Sequence, residues 1–227
     1  MSQDQIFAAS EGDHWFERNR VTLSSADRLV HDPPLRLLEI CSITPAYVLE
    51  VGASNGYRLN TLRERYGCRA VAVEPSEAAI KDGEQRYPSI QFLSGVASAI
   101  PIKEDGQFDL VIVHFILHWV DRSTLLGSIA EIDRMVGDNG YLLIGDFYPA
   151  TPERVAYHHL PDGDVWTYKQ DYTEVFIASG LYSRVAVQTF DHTGSSVSAS
   201  VVPENRIQVS LLRKSLREGY PARTLGY

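Results

Sequence analysis

The chain has 227 residues, of which 44% are hydrophobic and 22% charged, a composition that excludes intrinsic disorder and fibrous repeats. Lys and Arg total 21 against 29 Asp and Glu, for a net charge of −8, which disfavours nucleic acid as a partner because its phosphate backbone would be repelled. The two cysteines have no metal-ligand spacing, and neither a signal peptide nor a run of about 18 apolar residues is found. We therefore expect one compact cytoplasmic domain with no membrane partner.

The first half of the chain predicts helices followed by alternating strands and helices. Two amphipathic helices are expected at residues 20–31 and 35–43, with Asp32 and Pro33 marking the start of the second. From residue 46 to residue 146, short apolar runs alternate with helical stretches, a pattern typical of parallel strands joined by helices. The predicted strands are residues 47–51, 70–74, 90–93, 108–113 and 140–146. The predicted helices between them are residues 57–66, 76–86 and 121–136, and a turn is expected at residues 137–140.

The pattern changes after residue 146. Residues 147–180 are rich in Tyr, His, Pro and Asp, and we expect them to form a loop-built lid on the substrate side. Strands at residues 182–190 and 206–215 then predict a closing antiparallel hairpin. The predicted fold is a single α/β domain with a Rossmann-like, seven-stranded, mostly parallel sheet and helices on both faces. Its predicted parts are an N-terminal helical cap (1–45), a cofactor-binding core (46–146), the lid (147–180) and the C-terminal strands (181–227).

A glycine-rich turn follows the first predicted strand. The strand ends at Glu50 and Val51, and the turn contains Gly52, Ala53, Ser54, Asn55 and Gly56. Glycine adopts left-handed or crowded conformations without a Cβ penalty, and the next helix presents free N–H groups to polar ligand atoms. Glu74 ends the second predicted strand, the position at which a Rossmann-type site places an acidic residue on ribose hydroxyls. The turn and the acid together predict a nucleoside-binding site.

Four segments resemble, in order, the motifs of class I S-adenosylmethionine-dependent methyltransferases. They are the turn at residues 50–56 and the segments at residues 73–76, 94–97 and 108–111. The resemblance implies S-adenosyl-L-methionine as cofactor, S-adenosyl-L-homocysteine as product, and a small molecule as methyl acceptor. Because the cofactor supplies the electrophile, the work left to the protein is mostly positioning.

The resemblance also assigns roles to residues of the cofactor site. The acid before the glycines, here Glu50, holds the methionine amino group, and Glu74 holds the ribose. The segment after the third strand flanks the adenine, and the end of the fourth strand passes the sulfonium. The residues assigned in this way are Glu50, Gly52, Ala53, Ser54, Asn55, Gly56, Glu74, Pro75, Val96, Ala97, Ser98, His114 and Phe115.

Residues 11–20 resemble the aromatic, arginine-containing N-terminal helix of many bacterial small-molecule methyltransferases. Trp15 and Arg20 join the cofactor set on this ground, since the Arg20 guanidinium suits the planar methionine carboxylate. The competing interpretation is an aromatic cluster that caps the sheet beside a surface arginine.

Transfer to a hydroxyl is helped by a base, and the candidates near the predicted mouth of the site are His118, His158 and His159. Our first choice from the sequence is His158 or His159. Asp146, at the end of the fifth strand, can orient a base or the substrate. The two neighbouring histidines and the nearby Asp162, Asp164 and Asp171 could hold a divalent metal that activates a hydroxyl. Their spacing matches no fixed metal-ligand pattern, so no metal site is assigned.

The acceptor is indicated only by a looser resemblance. Residues 149–182 resemble a segment of methyltransferases from bacterial surface-glycan pathways, which suggests a hydroxyl on a sugar or related metabolite. Oxygen is the first choice of acceptor atom and nitrogen the second. The protein is expected to be a monomer or a homodimer.

Three different functions fit parts of the pattern. The segment 52–56 also reads GxSxG, the nucleophile elbow of α/β-hydrolases, with Ser54 as nucleophile. Against a hydrolase, the elbow would follow the first strand and no oxyanion loop precedes it. A glycine turn and a ribose acid would also suit an NAD-dependent enzyme, but the GxGxxG spacing of such enzymes is missing. A non-catalytic nucleotide-binding module is the third possibility.

Overall fold

A seven-stranded sheet organises the part of the chain that the computed structural model describes, namely residues 2–23, 31–160, 163, 165–192 and 202–217. The strands are β1 (Tyr47–Val51), β2 (Arg69–Glu74), β3 (Gln91–Ser94), β4 (Phe108–His114), β5 (Val136–Phe147), β6 (Glu153–Ala156), β7 (Trp166–Lys169), β8 (Tyr182–Asp191) and β9 (Arg206–Lys214). The sheet order is β3-β2-β1-β4-β5-β9-β8, and β6 and β7 form a separate antiparallel hairpin. Strands β1 to β5 are parallel, whereas β9 runs antiparallel to both β5 and β8.

Helices cover both faces of this sheet. They are α1 (Gln3–Ile6), a π-helical turn (Phe7–Glu11), α2 (Gly12–Leu23), α3 (Pro33–Ile40), α4 (Tyr57–Tyr66), α5 (Glu77–Arg86), α6 (Leu125–Met135) and α7 (Glu174–Ala178), with 3₁₀ turns at Leu117–Trp119 and Pro203–Asn205. Side chains hold two of the helix starts: the Asp32 carboxylate accepts the Leu35 N–H (3.0 Å), and Ser76 Oγ accepts the Ala79 N–H (3.1 Å).

Two hydrophobic clusters lie on opposite faces of the sheet. Alternate residues of a strand supply them: Leu49 packs into the cluster that contains α6 and α7, and Val48 into the cluster that contains α3 and α4. Parallel strands need cover on both faces because their crossover helices lie there. The sequence therefore reads as continuous apolar runs, which is how the strands could be predicted.

The predicted fold class is confirmed, with local differences at element ends. The first strand and the helix at 57–66 have the predicted bounds, and β5 begins earlier than predicted. The expected turn at 137–140 lies inside β5 as an irregularity, since Phe108 pairs with Val136 and Leu110 with Tyr141. The helix expected at 35–43 spans Pro33–Ile40 and ends before Ser42, whose φ of 54° is left-handed.

The N-terminal and lid segments differ from the prediction more than the strands and helices of the core do. The first long helix is α2, which begins earlier than the predicted 20–31 because Phe16 is already buried against α5 residues; residues 24–30 of that prediction lie outside the described residues. Residues 147–180 contain the β6–β7 hairpin and α7 instead of loop alone, and Tyr172 and Phe176 belong to the core. In the described ranges, no helix combines the length and apolarity that crossing a bilayer requires.

Candidate active site

A cavity of about 910 Å³ opens where β1, β2 and β4 end. Its wall includes strand-end residues such as Glu50 and Glu74, the α2 residue Trp15, and Tyr157 after the hairpin strand β6. In open α/β sheets, ligands bind outside the carboxyl ends of the strands, where neighbouring connections leave in opposite directions. Here that point lies between β1 and β4, so the cavity is in the expected place for a ligand.

The turn after β1 has three left-handed residues. Gly52, Ser54 and Gly56 have φ values of 73°, 50° and 76°, and the Gly52 N–H donates to the Val73 carbonyl of β2 (2.8 Å). A Cβ at Gly52 would come within 2.3 Å of Ile116 Cγ2. The turn therefore brings bare backbone to the cavity wall, and residue 52 must be glycine for both its φ and its space.

Glu74 is fixed at the end of β2 by two backbone donors. One carboxylate oxygen accepts the Ser54 N–H (2.8 Å) and the other accepts the Ser76 N–H (2.9 Å). Burial raises the pKa of Glu74 to about 7, and these two N–H groups oppose that rise. Since each oxygen has a second lone pair and Glu74 lines the cavity, the carboxylate can still accept two hydroxyl protons from a ligand.

Glu50 lies in a buried ionic network with Arg58 and Asp32. Arg58 Nη1 donates to Glu50 Oε1, while Arg58 Nε and Nη2 donate to the Asp32 carboxylate (3.0 and 2.9 Å). Burial raises the pKa of Glu50 to about 7 against the Arg58 charge. Burial would also raise the pKa of Asp32, but the Arg58 charge and its hydrogen bonds hold it below the usual value. Among the described residues, Glu50 Oε2 is buried with no hydrogen-bond partner, so it can accept a donor from a ligand.

His118 and Asp146 form a buried pair beside the cavity. His118 Nδ1 lies 2.8 Å from Asp146 Oδ1. His118 lines the cavity, and both residues are almost fully buried. Asp146 thus orients this histidine, one of the two roles that the sequence suggested for it.

Fourteen of the sequence-predicted site residues line the cavity: Trp15, Glu50, Gly52, Ala53, Ser54, Glu74, Pro75, Val96, Ala97, His114, Phe115, His118, His158 and His159. Four others are not among the lining residues and contact other protein groups. Asn55 Nδ2 and Arg20 Nη2 both donate to the Asp82 carboxylate (2.9 and 3.0 Å), and Ser98 Oγ donates to Asp4 (2.9 Å). Gly56 packs against the Phe92 ring. Arg20 is therefore paired with a protein carboxylate, and its contact with the methionine carboxylate stays a prediction.

Two residues that line the cavity, and a third that lies beside it, do not follow from the sequence pattern. Asp32 reads there only as a helix start and Arg58 only as part of an amphipathic helix, although a charged residue just after a ligand-binding turn is a usable signal. The third is Gln3, whose Oε1 accepts the Trp166 N–H (2.7 Å) and whose Nε2 donates to the Trp119 and Trp166 carbonyls (2.9 and 3.0 Å). It joins α1 to the hairpin and the 3₁₀ turn, and no local pattern predicts it.

Neither a hydrolase nor a metal site gains support from the geometry. Ser54 Oγ is buried and makes no hydrogen bond within the described part of the chain, so no base activates it as a hydrolase nucleophile. No group of three His, Cys, Asp or Glu side chains within the described residues is arranged to hold a metal ion. Asp162 and Asp164 lie outside those residues.

The sheet order, the turn after β1 and the acid after β2 together define a Rossmann-like fold of the class I methyltransferase type. Residues 49–144 match the family model of the methyltransferase domain. This match, the similar proteins and the sheet order support the class I S-adenosylmethionine-dependent methyltransferase family that the motifs predicted.

Curated relatives cover part of the chain. A demethylmenaquinone methyltransferase of Renibacterium salmoninarum is 34% identical over 115 residues, 48% of this chain and 46% of that protein. A malonyl-[acyl-carrier protein] O-methyltransferase of Halorhodospira halophila is 30% identical over 128 residues, 55% of this chain and 42% of that protein. The chain thus spans about half the length of the curated relatives it matches.

Solved structures share the fold over nearly the whole chain. The 1,6-didemethyltoxoflavin-N1-methyltransferase of Burkholderia thailandensis, with bound 1,6-didemethyltoxoflavin and S-adenosylhomocysteine, has a TM-score of 0.70 at 18% identity and covers 93% of this chain and 88% of its own. An N-methyltransferase of Bradyrhizobium japonicum WM9 in complex with S-adenosylhomocysteine has a TM-score of 0.63 at 18% identity, covering 89% and 97%. At these identities the likeness concerns the fold alone.

Proposed function

We propose that this protein transfers a methyl group from S-adenosyl-L-methionine to an oxygen of a small molecule. The observation that carries the proposal is Glu74, whose carboxylate is fixed by two backbone N–H groups at the cavity wall and keeps a lone pair on each oxygen. A ribose offers two neighbouring hydroxyl donors, which is the ligand chemistry that this acceptor suits.

The residues at the other end of the cavity fit the methionine part of the cofactor. Glu50 Oε2 is a buried acceptor without a partner in the described residues, which suits an ammonium group. Arg58 lies beside it, and its guanidinium is shared between the Glu50 and Asp32 carboxylates. The Arg58 charge therefore determines the net negative charge next to the ammonium group. Val96 and Ala97 would flank the adenine, and His114 and Phe115 would lie beside the sulfonium. When bound, the cofactor supplies an electrophilic methyl group.

The acceptor is the less defined half of the proposal. The similar proteins are named for demethylmenaquinone, a malonyl-[acyl-carrier protein] and 1,6-didemethyltoxoflavin, so they do not agree on a substrate. A hydroxyl is our first choice because histidines lie in the wall on that side and can accept a proton near neutral pH; a nitrogen is the second choice. The sugar suggested by residues 149–182 is one such hydroxyl compound. A cytoplasmic monomer or homodimer completes the proposal.

Calorimetric titration of the purified full chain tests the cofactor half. We expect S-adenosylhomocysteine and S-adenosylmethionine to bind and NAD to give no heat. Binding of NAD alone, or no binding of either adenosyl compound at millimolar concentration, would refute methyl transfer. Release of S-adenosylhomocysteine from S-adenosylmethionine in the presence of acceptor mixtures then measures turnover.

A further inference from the structure

His118 is the histidine in the cavity wall whose ring is fixed by a carboxylate. Asp146 accepts the Phe147 N–H (2.7 Å) and the His118 N–H (3.3 Å), and its Oδ1 lies 2.8 Å from His118 Nδ1. Because the carboxylate can only accept, a neutral His118 carries its proton on Nδ1. Its Nε2 then has a free lone pair, and within the described residues no side chain or backbone group hydrogen-bonds to it.

His158 and His159 lack such an arrangement. Both are exposed in the turn after β6, and their rings lie against each other with centroids 3.9 Å apart. Neither ring makes a hydrogen bond to another described residue. A general base must be held within hydrogen-bond reach of the proton it removes, and an exposed pair of imidazoles with no orienting partner meets this requirement less well than His118 does.

Aromatic rings surround His118 on the cavity side. The centroids of Trp119, Phe147 and Phe115 lie 4.4, 5.0 and 5.8 Å from that of His118, and His192 extends the group 5.1 Å from Phe147. All five residues line the cavity. The Trp119, Phe147 and Phe115 rings are tilted or edge-on to the His118 ring, at 57°, 77° and 81°, and a further planar ring can join such a cluster by the same edge-to-face packing. This wall favours a planar acceptor over a saturated one.

The acidity of the acceptor hydroxyl also favours a planar ring compound. A ring hydroxyl resembles that of tyrosine, with a pKa of about 10, about four units above a histidine of pKa about 6.5. A saturated hydroxyl is closer to water and has a pKa far above that of a ring hydroxyl. Proton transfer to imidazole is therefore far less uphill from a ring hydroxyl.

We propose that the acceptor is a planar aromatic hydroxyl compound, that His118 Nε2 is the base that takes its proton, and that Asp146 is the positioning residue. The inference rests on the proposed methyl transfer. The hydroxyl oxygen bonds to the methyl carbon as the carbon–sulfur bond breaks, and that bond's electron pair stays on sulfur, which becomes a neutral thioether. The hydroxyl proton passes to Nε2, and the imidazolium formed beside Asp146 later returns it to water.

The test uses the full chain and two probes, 4-methylumbelliferone as the planar ring hydroxyl and methyl α-D-glucopyranoside as the saturated one. Products are measured by mass spectrometry after incubation with S-adenosylmethionine. We expect methylation of the planar probe. His118→Gln should lower kcat by roughly 100-fold or more, with the Kd for S-adenosylhomocysteine changed less than about twofold. Asp146→Asn should lower kcat while leaving KM near its original value. His14→Gln is the matched control, because His14 is exposed on α2 and does not line the cavity.

A measurement on the unmutated protein keeps the idea testable if a variant fails to fold. Nitrogen-15 correlation spectra of histidine-labelled protein with bound S-adenosylhomocysteine should show His118 in the Nδ1–H form. The Nε2–H form would overturn the proposal. So would preferred methylation of the glucoside, absence of methylation of the planar probe, or a kcat in His118→Gln within about threefold of the original. Failure of S-adenosylhomocysteine to bind would instead remove the proposed function itself, so the two failures are distinguishable.

Discussion

Replacing Glu74 by glutamine should weaken cofactor binding without lowering the stability of the ligand-free protein. Each hydrogen bond from a ligand hydroxyl to a carboxylate contributes about 1.5 to 3 kcal/mol, and glutamine keeps only one neutral acceptor oxygen. We expect a loss of about 2 to 3 kcal/mol, which is roughly 30- to 150-fold in the Kd for S-adenosylhomocysteine. In the empty protein the charge of Glu74 is unfavourable: a pKa raised to about 7 from an unfolded value near 4.5 costs about 3 kcal/mol at pH 8.

The sign of the pH dependence follows from this shift. The native carboxyl holds its proton more tightly than the unfolded one, so the contribution of Glu74 to stability falls as pH rises from about 4.5 to about 7 and stays low above that. The substitution removes this penalty and loses about 1 kcal/mol of backbone hydrogen bonding. Empty Glu74→Gln should therefore be at least as stable as the original protein at pH 8.

Two assays check this prediction. Urea unfolding at pH 5 and pH 8 gives the free energy of unfolding, and calorimetry over the same range gives the Kd. In the original protein, the affinity for S-adenosylhomocysteine should rise as Glu74 ionises between about pH 6 and pH 8. This dependence of affinity on pH should be smaller in Glu74→Gln. Glu77→Gln is the control, since Glu77 is exposed at the start of α5. An unchanged Kd, or a Kd loss matched by an equal loss of stability at pH 8, would refute the reasoning.

Two further predictions concern the parts that hold this site. Gly52→Ala should lower the free energy of unfolding by about 1 to 2 kcal/mol because of its left-handed φ, and by more because of the clash with Ile116. Gly67 has a similar φ and open space around it, so Gly67→Ala should lose only the contribution from φ. Equal losses for the two variants in urea unfolding would contradict the crowding at residue 52. Arg58→Leu should destabilise by about 3 to 5 kcal/mol at pH 8 because it leaves two buried carboxylates unpaired, and less at pH 5, where they can take up protons. Arg65→Leu, on the exposed side of the same helix, should change stability by less than about 1 kcal/mol, and a similar effect from both would refute the network.

Much of the fold was predictable because its information is local. The bounds of β1 and α4 follow from an apolar run, a glycine turn and helical spacing that lie within 20 consecutive residues. The turn predicted at 137–140 shows the limit of this reasoning. Gly and Asn residues do mark a break there, but the break is absorbed within β5 because Phe108 and Leu110 of β4 pair on either side of it. Only the neighbouring strand decides between a turn and an irregular strand.

The same distinction applies to the site. Glu50 and Glu74 were predictable as neighbours in the cavity wall because each lies in the last two residues of a strand and the ends of parallel strands meet at one edge. The ionic partner of Arg58, by contrast, is Asp32, which is 26 residues away in sequence. Their contact depends on how α3 packs against α4, and no sequence spacing encodes it. The partner of Arg20 follows the same rule, since Asp82 lies on α5, 62 residues away in sequence. The contact of Arg20 with the methionine carboxylate stays a prediction.

The two buried carboxylates, Glu50 and Glu74, are expected to be less favourable in the ligand-free protein than in the complex. Burial raises the pKa values of both Glu50 and Glu74 to about 7, so the empty protein keeps acidic groups in an environment that disfavours their charge. The proposed cofactor brings what each one lacks: an ammonium for Glu50 and two hydroxyl donors for Glu74. Binding should therefore release protons near neutral pH, because both carboxylates become ionised in the complex. A ligand that lacks the ammonium or the hydroxyl pair leaves one buried carboxylate without hydrogen-bond donors, which costs free energy. The site should therefore bind such ligands more weakly than the cofactor.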